Sequence, residues 1–132
     1  MVRERTALRV LLVEDNPHWR AQLRRWAVAA GHAVAHEACT ADEANAWLAA
    51  HADGWDLALV DAFLASGNGY TVLKHCLKRH AHQRVVMLSN YARPEARQQA
   101  LRLGADRFFD KDTELDACLA YCFTDGQACT AA

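Results

Sequence analysis

Leu57-Ala58-Leu59-Val60-Asp61 is four apolar residues running into a carboxylate, with the turn residue Gly54 just upstream. A short apolar run bounded by turn signals reads as a strand buried on both faces, as in the middle of a parallel sheet. The same arrangement recurs on either side. Leu8-Arg9-Val10-Leu11-Leu12-Val13 stops at Glu14-Asp15-Asn16-Pro17, Val85-Val86-Met87-Leu88 stops at Ser89, and the short strand Arg107-Phe108-Phe109 leads to Lys111. Ala33-Val34-Ala35-His36-Glu37-Ala38 alternates and gives a weaker strand.

Helical spacing fills the intervals. Trp19, Leu23 and Trp26 recur at one side of a helix that Gly31 closes. Thr40 and Glu43 make a capping box for a helix carrying Ala44, Trp47 and Leu48 to about His51. After Ala65-Ser66-Gly67-Asn68-Gly69, the residues Val72, Leu73, Cys76 and Leu77 mark a third helix. Pro94 suits the first turn of a fourth, with Ala96, Ala100, Leu101 and Leu103 as its face and Gly104 as its stop. A last helix runs from about Thr113 to Cys122. Five strand-helix units in alternation predict an α/β fold, a doubly wound five-stranded parallel sheet with five helices, because each parallel crossover needs a helix and turns right-handed.

The chain has 132 residues, 52% of them hydrophobic, which suits one domain with a real core. Its 15 basic and 16 acidic residues give a net charge of -1 and no field that would draw it to nucleic acid. No apolar run approaches a membrane span, and Met1-Val2-Arg3-Glu4-Arg5 does not open a signal sequence, so a cytoplasmic protein is expected. The five cysteines, Cys39, Cys76, Cys118, Cys122 and Cys129, contain no Cys-x-x-Cys pair and read as reduced thiols.

In a doubly wound sheet the reactive groups gather beyond the carboxyl ends of the strands. Here those ends carry Glu14, Asp15, Asp61, Ser89 and Lys111. Carboxylates brought together repel by roughly 4 kcal/mol per close pair at an effective dielectric near 20, so a cation belongs among them. Hard oxygen ligands favour Mg²⁺, which accepts phosphate oxygens as further ligands. An aspartate beside such a cation can act as a nucleophile towards phosphorus, and an ammonium and a hydroxyl can stabilise the phosphoryl oxygens. Asp61, Lys111 and Ser89 fit these roles.

An acidic pair after the first strand, Asp after the third, Ser after the fourth and Lys after the fifth resembles the response-regulator receiver family, over about residues 8 to 122. The resemblance implies a flavodoxin-like sheet of order 2-1-3-4-5. It implies Asp61 as phosphoacceptor, and Asp15, Asp61 and the backbone carbonyl of Phe63 as direct Mg²⁺ ligands. Glu14 would act through water and Lys111 would bind the phosphate. Ser89 and Phe108 would be switch residues, the inward turn of Phe108 reshaping the surface of the fourth helix, fifth strand and fifth helix. The implied partners are a histidine kinase or histidine phosphotransfer protein and a downstream protein target, with homodimer formation on phosphorylation compatible with the pattern. The chain is read as a single receiver domain over 1-132, with 123-132 a short tail.

Departures from the family pattern are Glu14 in place of the more usual Asp, Ala65 and Asp112 where proline is frequent, and Phe108 without a tyrosine hydroxyl. Without proline after Lys111, a cis bond there is not expected. Singly, each site residue has a plainer role: acids stabilise helix N-termini, Ser89 could cap the turn before Pro94, and Lys111 could pair with Asp110 or Asp112. Phe108 and Phe109 could both be core, with one of them packed outward. His75, Cys76, His80 and His82 read as a solvated helix end, Cys118 and Cys122 as idle thiols, and Trp19, Trp26, Trp47 and Trp55 receive no function, the three on helical segments being read as packing anchors.

Two other classes compete. A receiver-like docking or dimerising domain would work without phosphorylation. An aspartate-nucleophile phosphohydrolase usually has a second Asp two residues after the first, where this chain has Phe63, so at most slow autodephosphorylation is expected. Phe63 and Tyr91, which by the resemblance match variable positions flanking the family's site, would limit access of water and slow that loss.

Overall fold

The computed structural model describes residues 7–123. The rest of the expected tail, with Cys129, and the opening Met1-Arg5 segment lie outside them. Ten elements alternate: β1 (Arg9–Val13), α1 (Pro17–Ala29), β2 (Ala33–Ala38), α2 (Ala41–Ala50), β3 (Leu57–Asp61), α3 (Gly69–His75), β4 (Arg84–Ser89), α4 (Pro94–Arg102), β5 (Arg107–Asp110) and α5 (Leu115–Phe123). All pairings are parallel and the sheet order is β2-β1-β3-β4-β5, so the expected fold and order hold.

Alternation along the strands divides the core in two. Leu11, Val13, Ala58, Val60, Val85, Met87 and Phe108 face α2, α3 and α4 on one side. Val10, Leu12, Leu57, Leu59, Val86, Leu88 and Phe109 face α1 and α5 on the other. Phe108 and Phe109 are therefore both core, one on each face of the sheet, and neither packs outward.

The helix ends follow local chemistry. Asn16 Oδ1 accepts from the His18 and Trp19 N–H groups at the start of α1, ahead of Pro17. Thr40 Oγ1 accepts from Glu43 N–H, while the Glu43 carboxylate reaches one residue further back than expected and accepts from Cys39 N–H. Gly31 and Gly104, at φ 93° and 101°, close α1 and α4: each donates to the carbonyl three residues back, and the next residue donates to the one five back.

Three expectations need correction. The third helix stops at His75, and Leu77 is 54% exposed, because the Arg79 guanidinium binds the carbonyls of Cys76, Gln83 and Gly104 and turns the chain away. Leu101 is 48% exposed, since Ala100 takes the inward position of α4. The fully enclosed tryptophan is Trp55, ahead of β3, whereas the helical Trp19, Trp26 and Trp47 are half-buried.

Candidate functional site

The carboxyl ends of β1, β3, β4 and β5 meet as expected. Glu14 and Asp15 follow β1, Asp61 and Ser89 end β3 and β4, and Lys111 follows β5. One oxygen from each of Glu14, Asp15 and Asp61 lies within 4.8 Å of the others, the one such His/Cys/Asp/Glu cluster among the described residues.

Lys111 is buried among them. Its Nζ donates to Glu14 Oε1 at 2.7 Å and stands 3.5 Å from Asp61 Oδ2. The surface pairing with Asp110 or Asp112 is excluded: Asp110 accepts from Asp112 N–H, and Asp112 accepts from Asn90 Nδ2. Glu14 is held in turn by Asn16 N–H on its other oxygen, and by Arg20, whose guanidinium donates to the Glu14 carbonyl at 2.9 Å.

Burial pushes the Asp61 carboxyl up to about 7, with the Lys111 ammonium acting against it and the Glu14 carboxylate adding to it. With Asp61 ionised, three carboxylates against one ammonium leave two negative charges to balance, which suits a divalent cation with hard oxygen ligands. The β3–α3 loop passes so close that a Cβ on Gly69 would lie inside contact distance of the Asp61 carbonyl, while Gly69 N–H donates to the Ala62 carbonyl at 2.9 Å. Glycine is needed there for close approach.

Ser89 is fully buried and its Oγ accepts from Tyr91 N–H at 2.9 Å, so it does organise the turn before Pro94. That bond uses an oxygen lone pair and leaves the hydroxyl hydrogen to be donated elsewhere. Lys111 N–H donates to the Ser89 carbonyl, which sets the two loops side by side. Phe63 and Tyr91 pack edge to face at 5.3 Å on the exposed rim.

Phe108 is already inward, 3% exposed. The Arg97 guanidinium lies 5.1 Å from its ring centroid, donates to the Phe108 carbonyl at 2.8 Å and pairs with Glu114 at 2.9 Å. No sequence signal singled out Arg97. The peptide bond after Lys111 is trans, as the absence of proline implies.

The other candidates do not join the site. His80 pairs with Asp53 and His82 with Asp56 at the opposite end of the sheet. Cys118 and Cys122 lie 4.0 Å apart, and their hydrogen bond together with burial raises the Cys122 thiol well above its ordinary value, which keeps it protonated.

Residues 10–122 match the family model of the response regulator receiver domain. The chain belongs to the receiver family. A gliding motility regulatory protein of Myxococcus xanthus is 34% identical over 106 residues, covering 79% of this chain and 13% of that protein, so the chain spans about an eighth of the relative's length. A solved response regulator protein from Burkholderia pseudomallei with a phosphorylated aspartic acid, calcium ion and citrate superposes with a TM-score of 0.74 at 27% identity, covering 93% of this chain and 71% of that one. The CheX-CheY-BeF3-Mg complex from Borrelia burgdorferi, at 22% identity, a TM-score of 0.73 and coverage of 86% and 87%, shows the shared fold.

Receivers are signalling domains of two-component systems, generally without enzymatic turnover, that interact with histidine kinases and downstream targets. They bind Mg²⁺ at an acidic pocket, and Glu14, Asp15 and Asp61 form such a pocket here. Among the described residues, no helix is long and apolar enough to cross a membrane.

Proposed function

We propose that this receiver accepts a phosphoryl group on Asp61 from a histidine kinase or histidine phosphotransfer protein, in a Mg²⁺-dependent step, and signals by binding a downstream protein. The observation that carries this is the buried Lys111 ammonium, 3.5 Å from one Asp61 oxygen and paired with Glu14, at the sheet end where three carboxylates converge. The phosphorylated aspartic acid with calcium in the Burkholderia pseudomallei relative supports the same chemistry.

An Asp61 oxygen bonds phosphorus as the P–N bond to the donor imidazole breaks, and the electron pair leaves with the imidazole nitrogen. Asp15, Asp61 and the Phe63 carbonyl would hold Mg²⁺ directly and Glu14 through water; when bound, the ion supplies positive charge to the phosphoryl oxygens. Lys111 then has to share its ammonium between Glu14 and a phosphoryl oxygen. Ser89 donates its free hydroxyl hydrogen to another, and drawing on that group tightens the β4–α4 turn.

The output surface is α4-β5-α5. Because Phe108 is already inward, the phosphoryl group would stabilise this arrangement and not create it, shifting population only by its differential affinity. Phe63 stands where a phosphohydrolase would carry its second Asp, so turnover of small phosphoesters is not proposed. Intact mass after incubation with acetyl phosphate and Mg²⁺ tests the reading. The expected result is an adduct of one phosphoryl group, absent in Asp61→Asn and in EDTA. No adduct, together with no binding of beryllofluoride, would replace it with a phosphorylation-independent docking or dimerising domain.

A further inference from the structure

Lys111 has a neighbour that phosphoryl transfer as described leaves unused. Trp19 sits in the first turn of α1, and the Lys111 ammonium lies over its indole ring, 4.9 Å from the centroid. Local sequence dictates this placement. Asn16 and Pro17 start the helix directly after the acid pair, and Asn16 Oδ1 accepts from Trp19 N–H at 3.1 Å, which brings the third helical residue back over the end of the sheet. The next residue, Arg20, ties the same turn to the Glu14 carbonyl at 2.9 Å and pairs with Glu37 on β2 at 3.2 Å. Since α1 and α5 share one face of the sheet, a ring from α1 can meet a lysine from the β5–α5 loop.

A lysine is a point charge on a flexible stem, and carboxylates attract it without fixing its direction. An indole face attracts a cation more strongly than any other side-chain ring, and its bulk keeps water away. The Lys111 side chain is accordingly 2% exposed. We propose that Trp19 is a positioning residue whose ring holds the Lys111 ammonium at the acid cluster, within reach of a phosphoryl group arriving on Asp61. Its consequence for phosphoryl transfer rests on the site reading above; the placement of the ammonium does not.

Two variants separate ring from bulk: Trp19→Phe keeps an aromatic face, and Trp19→Met keeps flexible apolar volume without one. Lys111 is labelled with acetic anhydride and read by peptide mass, with the exposed Lys74 and Lys78 as internal standards. The labelling rate of Lys111 should rise in the order wild type, Phe, Met, spanning roughly three- to tenfold, with the standards unchanged. Initial phosphorylation by acetyl phosphate, in which the P–O bond to acetate breaks as acetate leaves with the electron pair, should fall in the same order. Melting temperatures identify any variant that loses its fold, and only variants that keep it are compared.

Equal labelling of Lys111 in the Phe and Met proteins, or wild-type labelling in both, overturns the proposal even where the wild type takes up phosphate. A wild type that takes up no phosphate but shows the graded labelling leaves the placement by Trp19 standing and removes the phosphoacceptor reading instead.

Discussion

At the residue scale, Asp61 stands at odds with its surroundings when no cation is bound. Its carboxyl titrates near 7 because burial opposes the charge and Glu14 adds repulsion, partly offset by Lys111. An unfolded chain would ionise it near its ordinary value of 3.8. Between these values the native state holds a proton that the unfolded state has released, so stability falls as pH rises from about 4 to about 7 and levels off above. Asp61→Asn removes that dependence, and Lys111 stays paired with Glu14, so no ammonium is stranded. In EDTA the variant should melt higher than the wild type at pH 8, by about 3 °C or more, the response of a domain this size to roughly 1 kcal/mol. The gap should close towards pH 4. A variant no more stable than the wild type at pH 8, or a gap that widens on acidification, would show that Lys111 outweighs burial at this carboxylate.

At the scale of elements and the loops between them, Phe63 after β3 and Tyr91 after β4 form a rim over the mouth of the site, edge to face at 5.3 Å. Under the proposed function, loss of phosphate from Asp61 would need a water molecule to reach phosphorus, and this rim would narrow the approach. Replacing both by serine should speed decay of the phosphorylated mass several-fold with the fold intact; unchanged decay would remove the rim from the account. What could be read in advance at this scale was whatever depends on near neighbours. The strand ends bearing Glu14, Asp15, Asp61, Ser89 and Lys111, the Thr40 cap and the Gly31 and Gly104 stops all rest on short-range chemistry, and the structure places them as expected. Features set by residues far apart in sequence were not legible. Leu77 looked like helix face until Arg79 bound three carbonyls across a loop, and Trp19 looked like a packing anchor until Lys111, 92 positions later, came to rest over it. The Lys111–Glu14 pair itself, and Phe108 lying inward under Arg97, belong to the same class.

For the molecule as a whole, the proposed switch requires the site at one end of the sheet to communicate with the α4-β5-α5 surface. Arg97 on α4 reaches across to β5 by donating to the Phe108 carbonyl, and to the start of α5 through Glu114. The Glu114 carboxylate is held below the ordinary range first by Asp110 N–H and then by Arg97, and Asp110 is the residue before Lys111. One guanidinium therefore spans all three elements and ends beside the loop that carries the site's ammonium. If that clamp stabilises the arrangement the phosphoryl group prefers, removing it must weaken phosphoryl binding, and by linkage phosphoryl binding must strengthen the clamp by the same free energy. Arg97→Met should therefore raise the beryllofluoride concentration needed for half-maximal thermal stabilisation in Mg²⁺, by about fivefold at the lower end of ordinary coupling energies. In the wild type, beryllofluoride should slow hydrogen exchange at the amides of Asp110 and Lys111 and of Glu114. Both effects are required together, because reciprocity admits no one-way coupling: an unchanged titration midpoint in Arg97→Met would mean that the surface answers to the site by a route that bypasses this clamp.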